Sequence, residues 1–148
     1  MYIAAIQRLT LLDFPETPAC IAFFPGCNFR CHYCHNPALV LPEKLAETAK
    51  DLISETSFFR FLDTRQGLLE GVVVSGGEPT IHPKLIHFLE KIRSRNFKIK
   101  LDTNGTNPKI LKEILEKNLV DYIAMDIKAS PEKYSEFCGT QVHFSALE

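Results

Sequence analysis

A chain of 148 residues, 45% of them hydrophobic and with a formal net charge of −1, has the size and balance of one ordinary globular domain. That balance gives no sign of a nucleic-acid partner, and no apolar run approaches the roughly 20 residues that a membrane helix needs. Asp13 and two prolines stand where a secretory leader would carry its apolar core, so a cytoplasmic protein is expected, and five cysteines, three of them packed closely together, fit a reducing compartment better than a disulfide framework.

Residues 1–18 read as an extended lead-in, because Pro15 and Pro18 rule out a helix across its end. Ala19–Phe24 is continuously apolar, as a strand covered on both faces would be, and Pro25-Gly26 ends it. The loop that follows carries Cys27, Cys31 and Cys34 at C-x3-C-x2-C spacing, and such short intervals let three thiolates converge on one metal centre. Four thiolates would close a zinc site or saturate an iron–sulfur cluster, whereas three leave one position for something else. A zinc site of three Cys with His32 or His35, or reduced structural thiols, is the alternative. Cys20 and Cys138 read as small buried hydrophobes rather than ligands.

Residues 37–53 are polar with a loose helical pattern. Ser54 is an expected N-cap for a helix with Phe58, Phe59, Phe61 and Leu62 along it. Val72-Val73-Val74 predicts a short buried strand that runs into Ser75-Gly76-Gly77-Glu78-Pro79. Glycines there would let the backbone approach a ligand, and the Glu78 carboxylate would suit a ligand ammonium; a plain turn with a surface Glu is the bland reading. Pro83 suits a first helical turn, with Leu85, Phe88, Leu89 and Ile92 at i, i+3, i+4 and i+7. Lys91, Arg93, Arg95, Lys98 and Lys100 straddle the end of that helix and the next strand, and read as a solvated structural face.

Phe97–Leu101 is the third strand, ending in Asp102-Thr103-Asn104-Gly105, which could simply cap a turn. Asn107-Pro108 opens a helix with Ile110, Leu111, Ile114 and Leu115 on one face and Asn118 as its stop. Tyr122–Met125 is the fourth strand, running into Asp126-Ile127-Lys128, and Ser130-Pro131 caps a short helix through Phe137 that Gly139 closes. This repeated strand, loop and helix argues for an α/β fold of parallel strands with helical crossovers. Every polar motif follows a strand. In a closed or partial α/β barrel that is the end where ligands bind, so the four loops point at one site.

The cysteine spacing, with the aromatic Tyr33 just before Cys34, resembles the signature of the radical S-adenosylmethionine superfamily, and Ser75–Pro79 after the next strand strengthens the resemblance. Asp102–Gly105 and Met125–Lys128 look like the activating enzymes of glycyl radical enzymes. Within that group, Gln7–Pro15 and Cys34-His35-Asn36-Pro37 look most like the activating proteins of anaerobic ribonucleoside-triphosphate reductase. The resemblance implies a [4Fe-4S] cluster on Cys27, Cys31 and Cys34, with S-adenosylmethionine on its open iron. It places Gly76, Gly77 and Glu78 at the methionine amino group, Tyr33 against adenine, Thr103, Asp126 and Lys128 towards methionine and ribose, and Asp102 as a charge balance. It implies cleavage to a 5′-deoxyadenosyl radical, a glycyl radical installed on a partner enzyme, and a flavodoxin-like electron donor. No catalytic side chain is expected beyond the cluster ligands, because the cofactor carries the chemistry.

The expected architecture is a partial parallel (β/α) barrel of about four strand–helix units, one core domain over residues 1–148 that lacks its C-terminal third. Ser145–Glu148 look like the first turn of a helix, so either a shortened core or a truncated chain is expected, with the adenine side unaccounted for. A radical enzyme acting on a small molecule or peptide, similar to 7-carboxy-7-deazaguanine synthase, is the rival within the class. A zinc-stabilised Cys3His binding module is the rival outside it.

Overall fold

The computed structural model describes residues 1–142; the helix start expected over Ser145–Glu148 lies outside them. In chain order the strands and α-helices are β1 (Tyr2–Ile3), β2 (Ala5–Thr10), β3 (Ala19–Phe24), α1 (Pro42–Thr48), β4 (Ile53–Ser54), α2 (Glu55–Asp63), β5 (Gly71–Gly76), α3 (Leu85–Arg93), β6 (Lys98–Thr103), α4 (Pro108–Glu116), β7 (Tyr122–Met125) and α5 (Tyr134–Cys138). One five-stranded sheet has the order β2-β3-β5-β6-β7. β3, β5, β6 and β7 run parallel, as the repeated strand–helix pattern requires. This is an α/β fold consistent with a partial radical S-adenosylmethionine barrel.

The lead-in is more than extended chain. Its residues 5–10 form β2, antiparallel to β3 on the edge of the sheet, with Ile6 opposite Ala22. Beyond β2 the chain turns through Thr10, whose hydroxyl bonds to Asp13 and accepts from the Leu12 and Asp13 amides at 3.2 Å. The turn delivers Phe14 onto the sheet face formed by Ala19, Ile21 and Val73.

The opposite face is the main core. Cys20, Ala22, Phe24, Val72, Val74, Ile99 and Leu101 pack there against the apolar stripes of α2, α3 and α4. Ser54 caps α2 by accepting the Ser57 amide at 3.1 Å. In α3, Leu85, Phe88, Leu89 and Ile92 are all buried, the expected i, i+3, i+4, i+7 face. Phe88 stands at the centre of an aromatic cluster, 5.2 Å from Phe24, 5.3 Å from Phe58 and 5.1 Å from Phe59 between ring centroids. Two local expectations give way: α3 begins at Leu85, after a turn through Pro83, and Leu115 points outward from α4, where Ile114 is the buried residue. Among the described residues, no helix is long and apolar enough to cross a membrane.

Candidate active site

At the C-terminal ends of β3, β5, β6 and β7 a cavity of about 570 Å³ opens, lined by residues from every loop that follows them. Cys27, Cys31 and Cys34 come from the first loop, Ser75, Gly76 and Gly77 from the second, Asp102, Thr103 and Asn104 from the third, and Asp126 and Lys128 from the fourth. The convergence expected from the strand rhythm is therefore present.

The cysteine loop is held by its own backbone. Gly26 adopts φ 87°, the Arg30 guanidinium donates to the carbonyls of Cys27 (2.6 Å) and Phe29 (2.7 Å), and the Cys34 amide donates to the Cys31 carbonyl at 3.1 Å. Phe29 is buried beneath the loop against Tyr134 and Cys138, which anchors it from below. All three cysteines stay half-exposed. Burial pushes the Cys27 thiol above its ordinary range, against a weaker opposing pull from the Phe29 amide. A positive centre, rather than the surrounding protein, would thus have to generate the thiolate there. Among the described residues no three His, Cys, Asp or Glu side chains gather closely enough to hold a single metal ion. His35 lines the cavity, whereas His32 is exposed and lies outside its lining.

Glu78 stands between the second and third loops. It is completely buried, and its carboxylate accepts from the Thr80 amide (3.0 Å) and hydroxyl, the Thr103 hydroxyl (2.8 Å) and the Asn104 amide (2.6 Å). It is not among the residues that line the cavity, and it ties the loop after β5 to the loop after β6. The Thr103 hydroxyl is likewise taken up, donating to Glu78 and accepting the Gly105 amide at 3.1 Å. Glu78→Gln would set an amide N–H against the Asn104 N–H. Losing a charge-assisted bond at a buried site costs about 1.5–3 kcal/mol, so a lower urea midpoint is expected even without any ligand.

The glycines also serve the fold. A Cβ on Gly76 would overlap the Phe24 backbone, and one on Gly77 the Gly26 carbonyl; both therefore let the second loop lie against the first. The Gly77 amide donates to the Phe24 carbonyl at 2.9 Å and the Glu78 amide to that of Gly26 at 2.8 Å. A second tie joins the first and third loops. Asn104 donates to Asn28 (2.8 Å), Asn28 donates to Thr106 (2.7 Å), and the Thr106 hydroxyl donates back to Asn104 (2.7 Å).

At the rim, Tyr33 is 45% exposed, stacks edge-on with Phe137 and donates its hydroxyl to the Lys128 carbonyl at 3.2 Å. Lys128 pairs with Asp126 at 2.8 Å; burial works against its charge, and Asp126 more than offsets that, holding it above the ordinary lysine range. Two groups given only structural readings from sequence also reach the site. Lys100 lines the cavity and pairs with Asp102 at 2.6 Å. Cys138 is fully buried, and its side chain meets Cys31.

The family model described as the Radical SAM superfamily matches residues 21–147. A protein of Methanocaldococcus jannaschii named as a glycyl-radical enzyme activating enzyme is 32% identical over 136 residues, 91% of this chain and 53% of that one. The pyruvate formate-lyase-activating enzyme of Clostridium pasteurianum is 34% identical over 128 residues, covering 85% of this chain and 52% of its own. Among solved structures, that of QueE from Escherichia coli aligns with a TM-score of 0.55 and 24% identity over 71% of this chain and 52% of that one, a likeness of fold alone. The chain spans about half the length of the curated relatives it matches.

Proposed function

Because the chain belongs to the radical S-adenosylmethionine superfamily, we infer that it forms the cluster- and S-adenosylmethionine-binding core of an enzyme that activates a glycyl radical enzyme. Superfamily members, pyruvate formate-lyase activators among them, use a [4Fe-4S] cluster and S-adenosylmethionine. The residues here fit that pair. Three half-exposed cysteines on one wall of the cavity, with no fourth cysteine in its lining among the described residues, suit a cluster that keeps one iron for another ligand. Cys27, Cys31 and Cys34 would hold the cluster. When bound, the reduced cluster and S-adenosylmethionine supply the 5′-deoxyadenosyl radical that removes hydrogen from glycine.

The chain's own residues bind and position. Ser75, Gly76 and Gly77 present the edge of β5 and its loop to the cavity, where backbone groups would meet the methionine amino group. Asp126 and Lys128 offer one charge of each sign to the methionine carboxylate and the ribose, and Tyr33 gives a rim surface for adenine. Thr103 and Glu78 act from beneath by holding the second and third loops in register. No side chain is needed as an acid or a base.

The single observation that carries this reading is the meeting of all four strand-end loops on one cavity with the three cysteines in its wall. The exposed rim, with Asp126 at 74%, leaves room for a protein loop, and curated relatives carry activating-enzyme names. The finer assignment is anaerobic ribonucleoside-triphosphate reductase as the partner, with a flavodoxin-like donor. It rests on the resemblance of Gln7–Pro15 and Cys34–Pro37. The test is anaerobic incubation with S-adenosylmethionine, dithionite and that reductase, reading 5′-deoxyadenosine by chromatography and the glycyl radical by electron paramagnetic resonance. Both signals are expected. 5′-Deoxyadenosine without a glycyl radical on any glycyl radical enzyme offered would defeat the activase assignment.

A further inference from the structure

We propose that Lys100 is a specificity-determining residue at the floor of the cavity, and that the group it takes is a neutral peptide carbonyl of the substrate segment. Strand alternation places it. Ile99 and Leu101 enter the main core, so Lys98, Lys100 and Asp102 face the other way, and Lys100 and Asp102 line the cavity. Lys100 sits beside Val73 of β5 and Tyr122 of β7, below the strand ends at Thr103 and Met125. Its side chain is only 11% exposed. Its ammonium donates to Asp102 at 2.6 Å, the one acceptor found for it among the described residues. A lysine has three N–H donors, so beyond Asp102 the ammonium has two more to offer a group seated in the cavity.

The charge balance selects the acceptor. Asp102 already neutralises Lys100, and Asp126 neutralises Lys128. A substrate carboxylate at Lys100 would crowd two anions around one cation where little solvent screens them, unlike at Lys128, whose partner Asp126 is 74% exposed. A peptide carbonyl accepts the spare donors without that conflict. The inference rests on the proposed function, since it names the substrate chemistry of the same site: backbone of a protein loop rather than a small carboxylic acid.

The test uses the whole chain with reconstituted cluster and S-adenosylmethionine but no reductant, so that nothing turns over. Calorimetry measures binding of a blocked glycyl peptide, acetyl-Ala-Gly-Ala-amide, and of the anionic N-acetylglycine. The blocked peptide is expected to bind the unaltered protein more tightly than N-acetylglycine, and Lys100→Met is expected to weaken it at least about tenfold. Should Lys100→Met fail to assemble, a Lys100→Met, Asp102→Asn double variant, which leaves no unpaired carboxylate, is expected to show the same loss. No binding of the blocked peptide, a loss below about threefold in the assembled variant, or tighter binding of N-acetylglycine would each overturn the proposal. Iron content and S-adenosylmethionine affinity of the unaltered protein are measured alongside. They report on the proposed function separately.

Discussion

Cys27→Ala, Cys31→Ala and Cys34→Ala are each expected to lose the [4Fe-4S] cluster, with iron and acid-labile sulfide after anaerobic reconstitution falling to background. Three thiolates are the smallest set that holds the cluster with one iron left for S-adenosylmethionine, so no single loss is tolerated. Cys20→Ala is expected to keep full iron content, because Cys20 lies in the core on the far face of the sheet, and to cost about 1 kcal/mol in packing. Cys138 is the demanding control. It is buried against Cys27 and Cys31, and burial pushes its thiol up to about 11, so it remains a protonated packing group at neutral pH. Cys138→Ala should therefore retain the cluster with some loss of stability. If Cys138→Ala emptied the site while Cys31→Ala kept its iron, the ligand set would have to be redrawn with Cys138 in it.

The readiness with which this fold was legible varied with how local its causes are. Ala19–Phe24 was visible to the residue because a strand buried on both faces needs an unbroken apolar run, and the face of α3 was visible because Leu85, Phe88, Leu89 and Ile92 repeat at the helical period. β2 was not. Its residues are mostly exposed, with Leu9 at 55%, so only its pairing with β3 makes it a strand, and pairing partners leave no mark in a local pattern. The site shows the same division. That four loops share one cavity followed from strand-end topology, whereas the direction of the Glu78 carboxylate is set by Thr80, Thr103 and Asn104 folding over it. Lys100 was hidden inside a basic stretch that reads as solvated surface. The signal that could have revealed it is its two-residue spacing from Asp102, which places both on one face of β6.

Gly77→Ala is expected to be among the most damaging single substitutions in the chain, and to do its damage before any ligand binds. The added methyl would overlap the Gly26 carbonyl, a backbone atom that cannot rotate aside, and would press on Cys27 Cβ as well. Relief would require separating the second loop from the first, breaking the Gly77-to-Phe24 and Glu78-to-Gly26 backbone bonds and exposing the Glu78 network. A loss above about 4 kcal/mol is the expected scale, in the range reserved for clashes with no means of relaxation. Gly76→Val compounds such a clash, against the Phe24 backbone, with a φ of 122° that side chains rarely adopt. Gly67→Ala supplies the contrast: φ there is 76°, but nothing lies within 4 Å, so only the left-handed backbone cost of about 1–2 kcal/mol is expected. Urea denaturation of the three apoproteins separates the causes. A normal midpoint for Gly77→Ala combined with weakened S-adenosylmethionine binding in the reconstituted protein would mean that the glycine clears space for the ligand. A collapsed midpoint without cluster or ligand would mean that it clears space for the cysteine loop, and that the cavity owes its shape to two backbones packed without side chains between them.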